Sequence, residues 1–125
     1  MPKLKITVGH CVVHVEAFDT STAKAVAAAA PFESRAATWQ GEVYFQVPVP
    51  AVERDDGARD VVERGEIAFR TEGEMVVIGY APTPCSEGGE IRLASPSNIW
   101  GRTDDDLAGL SEVEAGQLVR VELVE

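Results

Sequence analysis

The chain has 125 residues, of which 45% are hydrophobic, and its formal net charge at pH 7 is −10. This length suits one domain with one core. No apolar run approaches the roughly 18 residues that a membrane helix needs, and the acidic charge would repel a nucleic acid. The N-terminus lacks the apolar core of a signal peptide, and Cys11 and Cys85 are isolated. We therefore expect a single cytoplasmic domain, residues 1–125, without a nucleic-acid or membrane partner.

The first segments predict a hairpin followed by a helix. KLKITV and CVVHVEAF both alternate and are separated by Gly9 and His10, which is the spacing of a hairpin with a two-residue turn. AKAVAAAA consists of strong helix formers, with Thr20 before it as a capping residue and Pro31 after it. These signals predict the one long helix of the chain, at residues 20–30.

The rest of the chain predicts strands joined by polar loops. GEVYFQVPV alternates, with Val43, Phe45 and Val47 facing the core. GEIAF and GEMVVIGY predict a hairpin across RTEG, and QLVRVELVE a closing strand with apolar leucines and valines. ERDDGARD predicts a surface loop, and DDDLAGLSEV a short helical turn capped by Thr103 or Asp104. About six to eight strands around one or two helices predict a closed or nearly closed antiparallel barrel.

Residues 83–101, TPCSEGGEIRLASPSNIWG, follow the aliphatic run MVVIGY. Polar excursions of this length inside compact domains are usually functional or disordered. We predict that this segment is an ordered groove wall, held to the barrel by hydrogen bonds from the Asn98 side chain to backbone groups. Ile99 and Trp100 are predicted to re-enter the sheet with one side chain inward and one outward.

Several strings of residues together resemble the small bacterial and archaeal cyclophilin-like proteins, in family order and over nearly the whole chain. They are PFES with TWQGEVYF, DVVERGEIAF, APTP, SPSNIWG, and DLAGL with QLVRVEL. The resemblance implies the cyclophilin fold, which is a mainly β, closed antiparallel eight-stranded barrel with one or two helices. That fold agrees with the strands predicted from the alternation.

The resemblance indicates less about the activity of the protein than about its fold. True cyclophilins place an arginine on the strand after the first helix, where it hydrogen-bonds the prolyl amide. Here the corresponding strand is taken as GEVYF, which has no arginine, and Arg35 lies upstream of it. Lowering an amide rotation barrier of ~18–20 kcal/mol needs a donor held against the prolyl group. We therefore expect no efficient prolyl isomerase activity.

A ligand groove is predicted between the GEVYF strand and the 83–101 segment. The strand face opposite the core combines aromatic surface with hydrogen-bonding groups, and an arginine offers a planar fork of donors. The predicted groove residues are Trp39, Glu42, Tyr44, Gln46, Tyr80, Thr83, Arg92 and Asn98. The alternative is structural: Trp39 packs under the long segment, Tyr44 covers the barrel exterior, and Arg92 pairs with Glu87 or Glu90.

No metal or cofactor is predicted. His10, Cys11 and His14 lie close in sequence, but alternation along one strand points Cys11 away from His14, so the three cannot converge on an ion. We expect His14 to pair with Glu16 on the exterior. Cys85 lies in a loop without a nearby histidine, and so it is not predicted to be a nucleophile.

These observations favour a binding module for a peptide or small molecule. One alternative is enzymatic, either a divergent peptidyl-prolyl isomerase or an amide-processing enzyme, and it rests on fold analogy. Another is a structural homodimer subunit that pairs exposed sheet edges.

Overall fold

The computed structural model describes residues 2–124. In chain order the elements are β1 (Lys3–Val8), β2 (Cys11–Ala17), α1 (Ser21–Ala29), β3 (Phe32–Arg35), β4 (Ala37–Trp39), β5 (Glu42–Gln46), β6 (Arg59–Val62), β7 (Glu66–Arg70), β8 (Met75–Gly79), β9 (Ile91–Arg102), a short 3₁₀ helix (Ala108–Glu112) and β10 (Leu118–Val124). None of the helices in this part of the chain is long and apolar enough to cross a membrane.

The N-terminal hairpin and the helix confirm the predictions. β1 and β2 pair antiparallel around Gly9, whose φ of +57 lies in the left-handed region that glycine adopts without steric cost. Thr20 caps α1, because its hydroxyl oxygen accepts a hydrogen bond from the Ala23 amide at 3.1 Å. The observed helix ends within one residue of the predicted bounds on both sides.

The sheet curls into a nearly closed antiparallel barrel. Its strand order is β3-β10-β1-β2-β9-β7-β8-β5-β4. The two end strands, β3 and β4, flank Ala36 in the chain, and β3 pairs with β10 whereas β4 pairs with β5. One bent segment therefore links the two ends of the sheet. The predicted fold class is confirmed, with ten strands rather than eight, because this segment divides at Ala36 and β6 forms a separate short strand.

The barrel interior is filled by apolar side chains from the inward faces of the strands and from α1. Val43, Phe45 and Val47 of the GEVYFQVPV segment are almost fully buried, as their alternation predicts. Trp100 is also fully buried, and its indole Nε1 donates a hydrogen bond to the Ala68 carbonyl at 3.2 Å. Trp100 therefore belongs to the barrel wall, and so does Asn98, which lies two residues earlier in the same strand.

Much of the segment predicted as a groove wall is strand. β9 runs for 12 residues, and its last residues pair with β7 inside the barrel wall. Its first residues leave the wall and pair with β6, and the register shifts between Arg59 opposite Ser97 and Val61 opposite Arg92. Pro96, which has no amide hydrogen, lies within that irregularity. The proline and the serines of this segment suggest a loop, but the irregular pairing accommodates them within the strand.

The cap prediction for the 3₁₀ helix is wrong. The Ala108 amide donates to Asp106 Oδ1 at 2.9 Å, so neither Thr103 nor Asp104 caps the turn. Thr103 Oγ1 instead accepts the amide of Asp105 at 3.0 Å. The N-cap residue of this helix is Leu107, which has no side-chain capping bond, and the Asp106 carboxylate makes a local turn bond instead.

β10 closes the sheet as predicted, but fewer of its apolar side chains are buried than the sequence pattern suggested. Val119 and Val121 are buried, whereas Leu118 and Leu123 are 44% and 54% exposed. Leu118 alternates with Val119 and so faces outward. Leu123 shares the inward parity but lies near the end of the strand, beyond the packed interior.

Candidate functional site

The predicted groove residues of β4 and β5 lie on the outside of the barrel wall. Trp39 pairs with Glu42, and Glu42 with Gly79, so the three side-chain positions form one row on one face. By the same register a second row contains Ala37, Tyr44 and Val77, and a third contains Gln46 and Met75. We call this surface of β4, β5, β8 and β7 the outer face.

A second layer covers part of the outer face. It consists of β6 and residues 91–97 of β9, and we call it the outer layer. A Cβ atom placed on Gly79 would lie 2.7 Å from Ile91 Cγ2 and 3.3 Å from Leu93 Cδ2, so glycine at this position lets the layer approach the sheet closely. The contact forms a small core apart from the barrel interior, built from Val62, Ala68, Val77, Ile91 and Leu93.

Glu42 is buried on this face. Its residue surface is 3% exposed, and its Oε2 atom has no hydrogen-bond partner among the described residues. Burial disfavours the charged carboxylate and raises the pKa of Glu42 to about 7, against the opposing attraction of the Arg70 guanidinium. Near neutral pH the carboxyl group can therefore act either as a hydrogen-bond donor or as an acceptor.

Two aromatic side chains occupy the same face. Trp39 is half-buried and neighbours Glu42 in its row. Tyr44 packs against the small outer core, and the Arg70 guanidinium carbon lies 5.7 Å from the centre of its ring, a cation–π distance. Tyr44 thus covers the barrel exterior, as the structural alternative predicts, and it is partly exposed.

Thr83 and Arg92 fasten the 80–90 loop to the outer layer. The Thr83 hydroxyl donates to the Arg92 carbonyl, and the Thr83 side chain is almost wholly buried. The Arg92 guanidinium pairs with Glu90 at 2.7 Å and with Asp60 of β6 at 2.9 Å. Its hydrogen bond to Glu90 holds the pKa of that carboxyl below its usual value. The pairing with Glu90 is therefore observed, and Asp60 is a partner that the sequence did not reveal.

Asn98 joins three parts of the chain. It is fully buried, and its Nδ2 donates to Thr22 Oγ1 and to the Glu53 carbonyl, both at 2.9 Å. Its Oδ1 accepts the Asp55 amide at 2.9 Å. The predicted hydrogen bonds to backbone groups are present, and they tie residues 53–55 and α1 to β9.

The predicted groove residues therefore divide into two groups. Trp39, Glu42 and Tyr44 lie together on the outer face. Thr83, Arg92 and Asn98 make structural hydrogen bonds and ion pairs in and around the outer layer. Of the remaining two, Gln46 is exposed at the end of β5, and Tyr80 packs against the barrel core.

Arg35 lies on a strand, whereas the sequence placed it in a connection upstream of the strand. The first strand after α1 is β3, which ends at Arg35, whereas GEVYF was taken as that strand. Arg35 is exposed, and its Nη1 donates to the Gly116 carbonyl at 3.3 Å. The strand FESR went unrecognised because it is short and directly follows the proline after the helix.

His14 has a different partner from the one predicted. Its amide and its ring Nδ1 lie 2.7 Å and 3.0 Å from Asp105 Oδ2, so Asp105, rather than Glu16, binds it. The backbone amide of His14, with its ring, holds the pKa of Asp105 below its usual value. A cavity of about 250 Å³ adjoins the pair. No sequence signal could link two residues so far apart in the chain.

A larger cavity, of about 680 Å³, lies between the start of α1 and residues 50–56. Neither it nor the cavity beside His14 is lined by a predicted groove residue. Across residues 2–124, no cluster of three or more His, Cys, Asp or Glu side chains could hold a metal ion.

Comparison with known proteins identifies the family of this chain and a similar structure. A model of the family described as Cyclophilin-like matches residues 2–122. The chain belongs to the Cyclophilin-like family. The solution structure of a hypothetical protein from Archaeoglobus fulgidus is similar to this Cyclophilin-like chain, with 35% sequence identity and a TM-score of 0.82 over 97% of this chain and 93% of the archaeal one. A search of curated proteins found no match.

Proposed function

We propose that this Cyclophilin-like chain is a binding module that holds a peptide or small molecule on the outer face, beside Trp39, Glu42 and Tyr44. The observation that carries the proposal is the buried Oε2 atom of Glu42, which has no partner among the described residues. Buried polar atoms are nearly always hydrogen-bonded. Acids with strongly shifted pKa values cluster at functional sites.

The surroundings of Glu42 indicate how a ligand would approach. On the β8 side its cross-strand neighbour is Gly79, which the outer layer contacts. On the β4 side its neighbour is the half-buried Trp39. A ligand would therefore enter from the Trp39 side, stack on aromatic surface and present a polar hydrogen to the Glu42 carboxyl group.

A titration followed by amide NMR shifts tests this proposal. Proline-containing tetrapeptides and a library of small metabolites are added to the labelled protein at pH 7. We expect shifts clustered at Trp39, Glu42 and Tyr44, and their loss in Glu42→Leu. The exposed substitution Glu114→Gln serves as the matched control and should leave the shifts unchanged. Shifts clustered around His14 and Asp105 would contradict a site on the outer face. An absence of shifts would reject the binding module.

Prolyl isomerase activity is the second candidate, because β3 ends at an arginine. Two observations weigh against it: the Arg35 guanidinium donates to the Gly116 carbonyl, and it lines neither of the cavities described above. A protease-coupled assay on a proline tetrapeptide should therefore give the uncatalysed rate at every protein concentration. A rate that rises with protein concentration and disappears in Arg35→Ala would establish the isomerase instead.

A further inference from the structure

We infer that the outer face selects ligands with a free carboxylate, which the Arg70 guanidinium binds, while a hydrogen-bond donor next to that carboxylate reaches Glu42. This pair of groups occurs at the C-terminus of a peptide and in an N-acylated amino acid. The inference rests on the proposed function, because it concerns the same face of the barrel. It adds the chemical class of the ligand and the residue that selects it.

Arg70 has no carboxylate partner among residues 2–124. The chain has 21 acidic residues against 11 basic ones, and every other arginine except Arg35 has a carboxylate oxygen within 4.0 Å. Arg70 is half-buried, and its Nε donates to the Glu72 carbonyl at 3.0 Å. Its two Nη atoms donate to none of the described residues. These two nitrogens form the planar fork that binds a carboxylate through two parallel hydrogen bonds.

The Arg70 guanidinium belongs to the outer face. β8 lies between β7, which carries Arg70, and β5, which carries Tyr44. The guanidinium carbon is 5.7 Å from the centre of the Tyr44 ring, so the two side chains meet above β8. The ring and the bond from Nε together orient the fork. Tyr44 follows Glu42 by two residues on one face of β5, and the guanidinium therefore lies close enough to attract the Glu42 carboxylate.

The two acids nearest to Arg70 do not neutralise it at short range. The Glu72 carboxylate binds Arg54 at 2.6 Å and offers Arg70 only its backbone carbonyl. Neither oxygen of Glu42 lies within 4.0 Å of an Arg70 nitrogen, and burial of Glu42 outweighs the attraction between them. Glu42 is therefore a buried hydrogen-bonding group rather than a counter-ion. A ligand carboxylate would supply the negative charge that Arg70 lacks.

The spacing of these groups favours a small ligand. Glu42 and Tyr44 are two residues apart on one strand, which separates them by about 7 Å along the backbone, and the guanidinium lies beside the Tyr44 ring. The last residue of a peptide carries a carboxylate, an N–H donor and a side chain on a single α-carbon. Its carboxylate would bind Arg70, its N–H would meet Glu42, and its side chain would pack against Trp39.

Two peptides that differ only at the C-terminus test the inference. Acetyl-Ala-Ala-Ala-Phe with a free carboxylate, and the same peptide with a terminal amide, are titrated into the labelled protein at pH 7 and followed by amide NMR shifts. We expect the acid to bind at least on the order of 10-fold more tightly than the amide, with shifts at Glu42, Tyr44 and Arg70. N-acetylphenylalanine is a third ligand. Binding of this compound alone would assign the face to small acids, and binding of the peptide acid alone to peptide C-termini.

Arg70→Gln should abolish the preference for the acid, because its fork of donors is lost. Arg120→Gln is the matched control, since it removes the same charge from β10, outside the outer face, and it should keep the preference. Equal affinities of acid and amide in the wild type would overturn the inference, and so would a preference that survives Arg70→Gln. The wild-type comparison stands even if a variant does not fold.

Failure of this inference and failure of the binding module give different results. Equal binding of acid and amide on the outer face rejects the selection by Arg70 and leaves the binding module in place. If neither peptide nor N-acetylphenylalanine binds, the inference is overturned. The wider titration of peptides and metabolites then decides separately whether the outer face binds any ligand.

Discussion

The barrel interior and the small outer core are both apolar, but only the outer core lies on a sheet face that also carries a buried carboxyl group. The interior joins side chains from α1 and most strands, including Phe45, Phe69 and Trp100. The outer core is a small cluster between one pair of strands and the sheet beneath, and Glu42 is buried on that same outer face. The larger core determines the fold, and the buried acid lies on the same face as the smaller core.

This difference predicts that substitutions in the two regions change different properties of the chain. A large core tolerates the loss of one contact better in relative terms, and it offers no polar group to a ligand. A small core with a buried acid is less stable and responds to protons. Substitutions in the two regions should therefore differ in size and in kind.

The largest effect is expected for Phe45→Ala, in the barrel interior. Removing a fully buried aromatic side chain leaves a cavity and should lower the free energy of unfolding by about 3–5 kcal/mol. Urea denaturation at pH 6 measures the change. Leu123→Ala, at a position that is 54% exposed, is the control and should cost less than about 1 kcal/mol. Equal losses would show that the interior is not the dominant core.

Asn98→Ala should follow, because this side chain joins the barrel wall to α1 and residues 53–55. Its removal leaves the buried Thr22 hydroxyl and the backbone groups of Glu53 and Asp55 without this partner. A loss of about 3 kcal/mol is expected, at roughly 1 kcal/mol for each hydrogen bond. Thermal or urea unfolding checks it, and a loss below about 1 kcal/mol would mean that water replaces the amide.

Gly79→Ala should disturb the outer layer more than the interior. The added methyl group would meet Ile91 Cγ2 at 2.7 Å, so the layer must shift, at a cost of about 1–3 kcal/mol. NMR shift changes should concentrate in β6 and residues 91–97. Gly89→Ala is the matched control, since nothing lies within 4 Å of its added methyl group. Changes spread evenly through the barrel would contradict an independent layer.

The smallest effect is expected for Arg92→Gln. Its ion pairs with Asp60 and Glu90 are partly exposed, and such pairs usually contribute less than about 1 kcal/mol. Urea denaturation in low and high salt measures the contribution, which should fall as salt screens the charges. A loss of several kcal/mol would mean that polar bonds, rather than its apolar contacts, hold the outer layer in place.

Alternation predicted most of the barrel, because buried strands repeat every two residues. The hairpin at Gly9, the helix and the inward faces of Val43 and Phe45 followed from local signals alone. Missed elements were short or irregular: β3 and β4 around Ala36, β6, which begins inside the predicted loop ERDDGARD, and the first half of β9 around Pro96. Their strand conformation depends on partners distant in sequence, which single-sequence patterns do not reveal.

The candidate site was less predictable than the fold. Polar and aromatic residues on the second face of β5 pointed to Trp39, Glu42 and Tyr44, and register brings them together. The outer layer was not foreseen, because its contact depends on Gly79 fitting against Ile91. Burial of Glu42, and with it the rise of its pKa, depends on tertiary packing and has no local signature.

The most direct test of the account is the pH dependence of stability in wild type and Glu42→Gln. Folding raises the pKa of Glu42 from 4.5 to about 7, so its contribution to stability is present at low pH and is lost as the pH rises through that interval. Between pH 5 and pH 8 the wild type should lose about 2–3 kcal/mol more of its free energy of unfolding than Glu42→Gln does. Parallel curves for the two proteins would show that Glu42 is solvated, and would contradict a buried acid on the outer face.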